Sequence, residues 1–371
     1  SDPLGAGESI EPYVLNPKLK PASCPSIPNQ GHVYTLEEVV VLSLCNNPDT
    51  KSAYLSLVQS ANSYAQNYSA YFPNVTATAT WSKNTFFSPN SHSISRGSGV
   101  SADMTLYDFG QRELGIDAAE QTLIAAGYSY DSTLQGSIAA ALNGYYQLLT
   151  SQNGVAVAEE SERFAQASYE AAKLKHEIGQ VALADELQAK SSLSQAILST
   201  QQAHNQLALD KAALARLMGL QPEETVEVAE LDDSTLVFEP LGGKLAELTA
   251  LAKEKRVDLI AQRANLEASK ISLRKTQREN LATVSAGVNA GIDEAGIVTR
   301  GTTRNHSIGL SVSIPIFTGF SQTYNENNAR ASLEAQQETL TQTELNVAQD
   351  VWNAWHNYET SQKSWDTSLD L

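Results

Sequence analysis

The sequence predicts a membrane protein of the α+β class, internally duplicated. Four strands per chain join those of two further copies in a twelve-stranded β-barrel, accompanied by long helices. Three observations lead there. The chain repeats itself at an offset of about 210 residues. Two segments in each copy alternate apolar and polar residues with the period of a strand. Helical periodicities run beside them for far longer than a globular helix, and such helices need lateral partners along their length.

The repeat is legible in short words. Ala141–Gln152 (ALNGYYQLLTSQ) answers Val351–Gln362 (VWNAWHNYETSQ), and Thr150-Ser151-Gln152 recurs as Thr360-Ser361-Gln362. Met104–Gln111 answers Ile314–Gln322, and Phe72–Ala79 answers Leu281–Val288. Each copy reads helix, strand, strand, long helix. The expected organisation is an extended N-terminal arm over 1–33 and a first repeat over 34–220 (helix, β-hairpin, long helix, return helix). An equatorial connector over 221–243 and a second repeat over 244–371 follow. Leu371 corresponds to Ser161, so the second copy is expected to stop before its turn and return helix, and the chain reads as incomplete.

The arm is aperiodic and rich in proline (Pro17, Pro21, Pro25, Pro28). Thr35, with Glu38 three residues on, has the pattern of a capping box. The helix it opens is expected to break at Asn46-Asn47-Pro48-Asp49, to resume toward Tyr71 and to end at Pro73. Val75, Ala77, Ala79 and Trp81 then alternate with Asn74, Thr76, Thr78 and Thr80. A polar loop is expected over Lys83–Ser98. Val100, Ala102, Met104 and Leu106 follow, against Ser101, Asp103, Thr105 and Tyr107. The second copy repeats the hairpin from Val284 to Ile292 and from Ile308 to Ile316, with a loop at Asp293–His306. From about Gln111 to Lys175 apolar residues are spaced by three and four, among them Leu123, Leu134, Leu142 and Tyr145. Gly179 is the expected chain reversal, and a return helix runs from about Leu183 to Met218.

Composition excludes several classes. A net charge of −17 over 371 residues argues against nucleic acid, whose phosphates need clustered Lys and Arg. It leaves a solvated acidic surface or a cation-favouring pore. No apolar run is long enough for a membrane-spanning helix. The chain opens Ser-Asp-Pro-Leu-Gly without a signal peptide's basic and apolar regions, as in a cytosolic protein or the mature form of an exported one. Cys24 and Cys45 read either as a clamp pinning the arm or as two separate small apolar residues. His176 and His204 read as isolated surface residues. Tyr145, Tyr146, Trp352 and Trp355 occupy matching positions and read as packing between helices. There is no nucleophile triad, phosphate loop or metal-ligand spacing, so neither an enzyme nor a cofactor or metal site is expected.

The strands carry the architecture. About 9–11 residues suffice for a tilted strand to cross a bilayer. Four strands leave open edges, which hydrocarbon does not tolerate. Two chains would give eight strands around an interior filled by side chains, and three give twelve around an aqueous lumen. In that barrel Thr76, Thr78, Asp103, Ser311 and Ser313 face the lumen, and Val100, Met104, Leu310, Val312 and Ile314 face lipid. Tyr71, Phe72, Tyr107, Phe109, Phe317 and Phe320 fall at the helix–strand junctions, where an interfacial aromatic girdle belongs. Asp103 reads as a source of cation preference or as a merely solvated carboxylate. The same alternation also fits a soluble hairpin with one half-buried face. The competing protein would be a soluble coiled-coil tether with small β-heads.

The order of elements resembles the TolC family of outer-membrane channel proteins. Asn47-Pro48-Asp49 looks like the family's opening segment, and Leu106–Gly110 (LYDFG) and Ile316–Phe320 (IFTGF) look like its strand-to-helix junctions. Glu177–Asp185 (EIGQVALAD), with a helix ending Leu214–Leu220 (LARLMGL), looks like its periplasmic hairpin. The resemblance covers Tyr34 to the end and rests on the combination of these words with the duplication. It implies a homotrimer with a twelve-stranded barrel in outer-membrane lipid, continuous with a twelve-helix periplasmic tunnel. It implies a passive exit duct for efflux or type I secretion, docked by a periplasmic adaptor and an inner-membrane transporter of ABC, RND or MFS type. It places Gly179, Gln180 and Val181 at the adaptor contact and Asp185 at the aperture, the remaining aperture residues falling on the absent second hairpin; Asp185 reads equally as a carboxylate favoured near a helix start by the helix dipole. The family's lipoprotein members start with an acylated Cys. This chain starts with Ser1, so the resemblance implies no lipid anchor here.

Overall fold

The computed structural model describes residues 24, 32–87, 90–223, 226–229, 244–296 and 301–369. The N-terminal arm, apart from Cys24 and residues 32–33, and most of the connector lie outside the described residues. The chain divides into two compact units. One comprises Leu15–Leu55 and Tyr130–Gly242; the other comprises Ser1–Val14, Ser56–Ser129 and Gly243–Leu371.

The first of these units contains β1 (Val33–Tyr34), α1 (Leu36–Asn46) and the start of α2 (Pro48–Tyr68). It also holds the later part of α3 (Gln111–Glu177), then α4 (Leu183–Leu217) and β4 (Glu227–Val228). α1 starts where the capping box places it: Thr35 Oγ1 accepts from the Glu38 N–H at 3.3 Å, and Thr35 N–H donates to Glu38 Oε2 at 2.9 Å. That backbone hydrogen bond, with the neighbouring His32, holds the Glu38 carboxyl below its ordinary pKa. α1 ends at the predicted interruption, where Asn47 is extended (φ −59°, ψ 126°) and its Oδ1 caps Asp49 N at 2.9 Å.

The core of this unit gathers Val39 and Leu42 from α1, Leu148 from α3, and Leu214 and Met218 from the end of α4. Tyr145, also from α3, is 2 % exposed, and its hydroxyl donates to Ala229 O at 2.6 Å. Tyr145 is therefore a packing residue with a polar tether. The parallel pairing of β1 with β4, too short to show a period, fastens the chain after α4 to the start of α1. A disulfide joins Cys24 to Cys45 of α1 across a Cα–Cα distance of 5.7 Å. Of the two readings of these cysteines, the clamp is the one found.

The second unit contains the sheet, with strands β2 (Asn74–Phe87), β3 (Asn90–Tyr107), β5 (Thr283–Gly296) and β6 (Gly301–Ser313) in the order β2-β3-β5-β6. All three ladders are antiparallel. α5 (Leu245–Lys255), α6 (Val257–Arg278) and α7 (Ser321–Leu369) complete it. α6 and α7 pack through Leu259, Leu266, Leu340 and Val347. Arg256 pairs with both Asp258 and Asp350 at 2.7 Å. The sequence reading missed the break between α5 and α6. Arg256 there is extended (φ −65°, ψ 125°), nearly the dihedrals of Asn47.

Three expectations need correction. The segments read as loops, Lys83–Ser98 and Asp293–His306, are largely strand: β2 runs to Phe87 and β5 to Gly296. Ladder hydrogen bonds satisfy the backbone whatever the side chains, so polar residues on both faces do not end a strand. Next, a bulge leaves Leu106 as the extra residue, and Tyr107 pairs with Val284. Tyr107 thereby moves to the apolar face, where unbroken alternation put it on the polar one. Finally, β6 ends at Ser313, so Ile314 and Ile316 lie beyond the ladder. Pro315 has no N–H to extend it.

Candidate functional site

Residues paired across a ladder share a face, and successive residues alternate. The rows of this sheet therefore sort by chemistry. Tyr107–Val284–Val312, Met104–Ala286–Leu310 and Val75–Ala102–Val288–Ile308 lie on one face, as does Val100 with Ala77 and Ala290. Thr105–Ser285–Ser311, Asn74–Asp103–Gly287–Gly309 and Thr76–Ser101–Asn289–Ser307 lie on the other, with Thr78 and Ser313. The predicted lumen and lipid sets are thus on opposite faces, except that Ile314 is off the ladder. Leu310, Val312 and Val100 are 74 %, 63 % and 52 % exposed, so the chain does not cover its own apolar face. A contiguous exposed apolar surface marks a membrane or protein contact. Along β5 it runs from Val284 to Ile292, about nine residues, the length a strand needs to cross hydrocarbon. At its end the same face carries Arg304, paired with Ile292, and one step beyond it Arg96 and Glu294. Trp81, opposite Arg96, marks that margin with an aromatic ring the sequence reading did not assign.

At the other margin the strands turn into helices through paired left-handed residues. Phe109 and Gly110 have φ of 55° and 79°; Gly319 and Phe320 have φ of 63° and 64°. Phe109 packs on Tyr107 with ring centroids 4.8 Å apart, and Phe320 on Phe317 at 5.4 Å. Beneath the first junction lies a network the sequence reading missed, although an Asp and an Arg four residues apart were its signal. Arg112 Nε donates to Asp108 Oδ2 at 2.9 Å and Nη1 to Thr105 O at 2.7 Å, with the guanidinium 4.6 Å from the Tyr71 ring centre. Gln111 and Gln322 each donate a side-chain N–H to the end of α6, at Arg278 O (2.9 Å) and Thr276 O (2.6 Å).

The α3–α4 turn is closed by Gly179 at φ 74°. Gln180 N–H donates to Lys175 O at 2.8 Å and Gly179 N–H to His176 O at 2.9 Å, the paired bonds of a Schellman cap. His176 is not isolated: its Nδ1 donates to Val181 O at 3.2 Å and braces the turn. Gly179 and Gln180 are exposed, and Ile178, Leu183 and Leu187 beside them are 60 %, 54 % and 54 % exposed. Asp185 accepts from Ala182 N–H at 3.2 Å, the helix-start role that its position favours. Elsewhere α3 buries Asp131, 4 % exposed, and that burial raises its pKa. Among the described residues no cluster of His, Cys, Asp or Glu fits a metal ion.

Long helices carrying a sheet with one apolar and one polar face define an outer-membrane channel protein, with the helical part in the periplasm. The chain belongs to the outer membrane efflux protein family, whose model matches residues 39–220 and 248–369. It is a passive channel component rather than an enzyme. It is 24 % identical over 350 residues to protein CyaE of Bordetella pertussis, covering 93 % of this chain and 73 % of that protein. It is 24 % identical over 329 residues to the probable efflux pump outer membrane protein TtgC of Pseudomonas putida, covering 85 % of this chain and 64 % of that one. Among solved structures it resembles the open state of the MtrE outer membrane channel of Neisseria gonorrhoeae, with a TM-score of 0.73 at 20 % identity. That match covers 90 % of this chain and 75 % of that one.

Proposed function

We propose that the chain is one protomer of a homotrimeric exit duct of a tripartite efflux or type I secretion system. Its twelve strands close one barrel in outer-membrane lipid, with Leu310 and Val312 outward and Thr76, Asp103 and Ser311 lining the lumen. The helices continue as a periplasmic tunnel. The observation that carries this is the four-stranded sheet with an uncovered apolar face and two open edges, β2 and β6. Lipid accepts the face, but only pairing with other copies satisfies the edges. An internal duplication is supported by the matched breaks at Asn47 and Arg256 and by the paired left-handed junctions, about 210 residues apart. The repeats are assigned as 34–220 and 244–371, joined by the equatorial connector. A soluble tether with β-heads would bury its apolar faces within the protein, and the family match does not favour it.

The register is tested by paired substitutions. Leu310→Arg is expected to lower stability by about 2–4 kcal/mol if it lies near the bilayer midplane. Ser311→Arg is expected to assemble normally and change conductance in planar bilayers. Equal tolerance at both positions would rule the assignment out.

The α3–α4 turn is assigned as the adaptor contact through Gly179, Gln180 and Val181, supported by the exposed Ile178, Leu183 and Leu187 around it. Asp185 is assigned to the aperture, where three copies converge. Asp185→Ala is expected to raise passive ion flow. Unchanged conductance would leave Asp185 as a helix-start residue only.

A further inference from the structure

The charges of the sheet are sorted by face. Among the described strand residues every Lys and Arg lies on the apolar face: Lys83 pairs with Ile94, Arg96 with Trp81, and Arg304 with Ile292. Asp103 and Asp293 lie on the polar face, and of the carboxylates only Glu294, opposite Arg96, shares the apolar one. The three cations are exposed, and no ion pair joins any of them to another described residue. They stand in three successive rows toward the end of the strands remote from the helices. At about 4.8 Å per strand, the strip from Lys83 on β2 to Arg304 on β6 is about 14 Å wide. The helical part lies in the periplasm, so this margin faces the outside of the cell. In a chain of net charge −17, a basic strip is a local exception.

We propose that Lys83, Arg96 and Arg304 bind the phosphates of an anionic lipid headgroup at the outer margin of the barrel. The inference rests on the apolar face meeting lipid. Guanidinium groups take phosphate oxygens two at a time, and the Lys83 ammonium adds a point charge. Trp81, 64 % exposed in the same row as Arg96, sits at the level where indole rings favour the boundary between headgroups and acyl chains. A cation on the lipid face is costly at the bilayer midplane and nearly free at its edge, so this margin tolerates the charges. An anionic headgroup accounts for their common sign. The width of the strip suits a headgroup bearing more than one phosphate.

The test is native mass spectrometry of the detergent-solubilised protein titrated with lipid A, a phosphorylated glycolipid, or with zwitterionic phosphatidylcholine. The parent is expected to retain lipid A in preference to phosphatidylcholine. Arg96→Gln/Arg304→Gln is expected to bind lipid A about tenfold more weakly or worse, since one lost charge-assisted hydrogen bond suffices for that. Phosphatidylcholine retention is expected to stay as in the parent. If the double variant fails to assemble, Arg304→Gln decides, because the ladder partner of Arg304 is Ile292 and no cross-strand carboxylate is stranded. Parental affinity in the deciding variant overturns the proposal. Inorganic phosphate is the second arm: if it displaces lipid A at a like concentration, the strip takes a soluble anion and the lipid assignment is overturned. Leu310→Trp in vesicles with brominated acyl chains reports on the lipid-facing reading separately. If its added fluorescence is quenched but the arginine variants bind lipid A like the parent, only the headgroup proposal falls. If it is not quenched, the lipid-facing reading falls and takes the proposal with it.

Discussion

Replacing Arg112 by alanine is expected to lower the stability of the protein by about 3–5 kcal/mol, the range for removing one partner of a buried ion pair. The Arg112 and Asp108 side chains are only 14 % and 11 % exposed. Arg112 also donates to three carbonyls, at Thr105 (2.7 Å), Ala70 (3.3 Å) and Leu106 (3.3 Å). Its loss leaves Asp108 without its partner, in a place water reaches poorly, and the part-buried Thr105 carbonyl short of a donor. Arg112→Lys recovers only part of the loss, because an ammonium cannot reach several acceptors in the guanidinium's fork geometry. Removing the orphaned charge as well, in Arg112→Ala/Asp108→Asn, recovers more. Denaturant titration in detergent measures all three. A single variant within about 1 kcal/mol of the parent would show the network to be worth no more than an exposed pair.

The other large effect is at Gly219, which ends α4 with φ 73°. Alanine there takes a left-handed conformation at about 1–2 kcal/mol. Its Cβ would also lie 2.6 Å from Asn46 O and 2.8 Å from Asn46 Cβ, at the end of α1. Overpacking of that kind adds about 1–3 kcal/mol. Gly179 provides the control. Its φ is 74°, but no atom lies within 4 Å of where a Cβ would be, so alanine incurs the conformational cost alone. Gly219→Ala should therefore melt well below Gly179→Ala by circular dichroism. Equal melting would mean that the Asn46 contact relaxes freely.

The parts of this fold that could be read from the sequence are those whose residues face two different surroundings. Val284 to Ile292 alternate because one face is uncovered and apolar while the other is polar, and a period of two survives in the letters. The α1 start and the Asn47 break were legible because capping and proline chemistry act over three or four residues. Where both faces meet polar surroundings the pattern vanishes, and the outer halves of the strands were mistaken for loops. The Leu106 bulge shifts Tyr107 by one residue without any marked change in composition. At Arg256 the helix breaks without a proline, held by ion pairs whose second partner, Asp350, is remote in sequence. The close approach of Asp103, Asp293 and Asn305 to glycines leaves no mark in the sequence, because the pairing that creates it is between strands.

The central seam of the sheet sets an order of folding. Each hairpin closes over a short connection, whereas β3 meets β5 only after about 175 intervening residues have been made. Contacts so distant form late and slowly. Before β5 arrives, a β2–β3 hairpin has its apolar face uncovered and a free edge on either side. An uncovered apolar face and free strand edges are the features that favour aggregation until that seam closes.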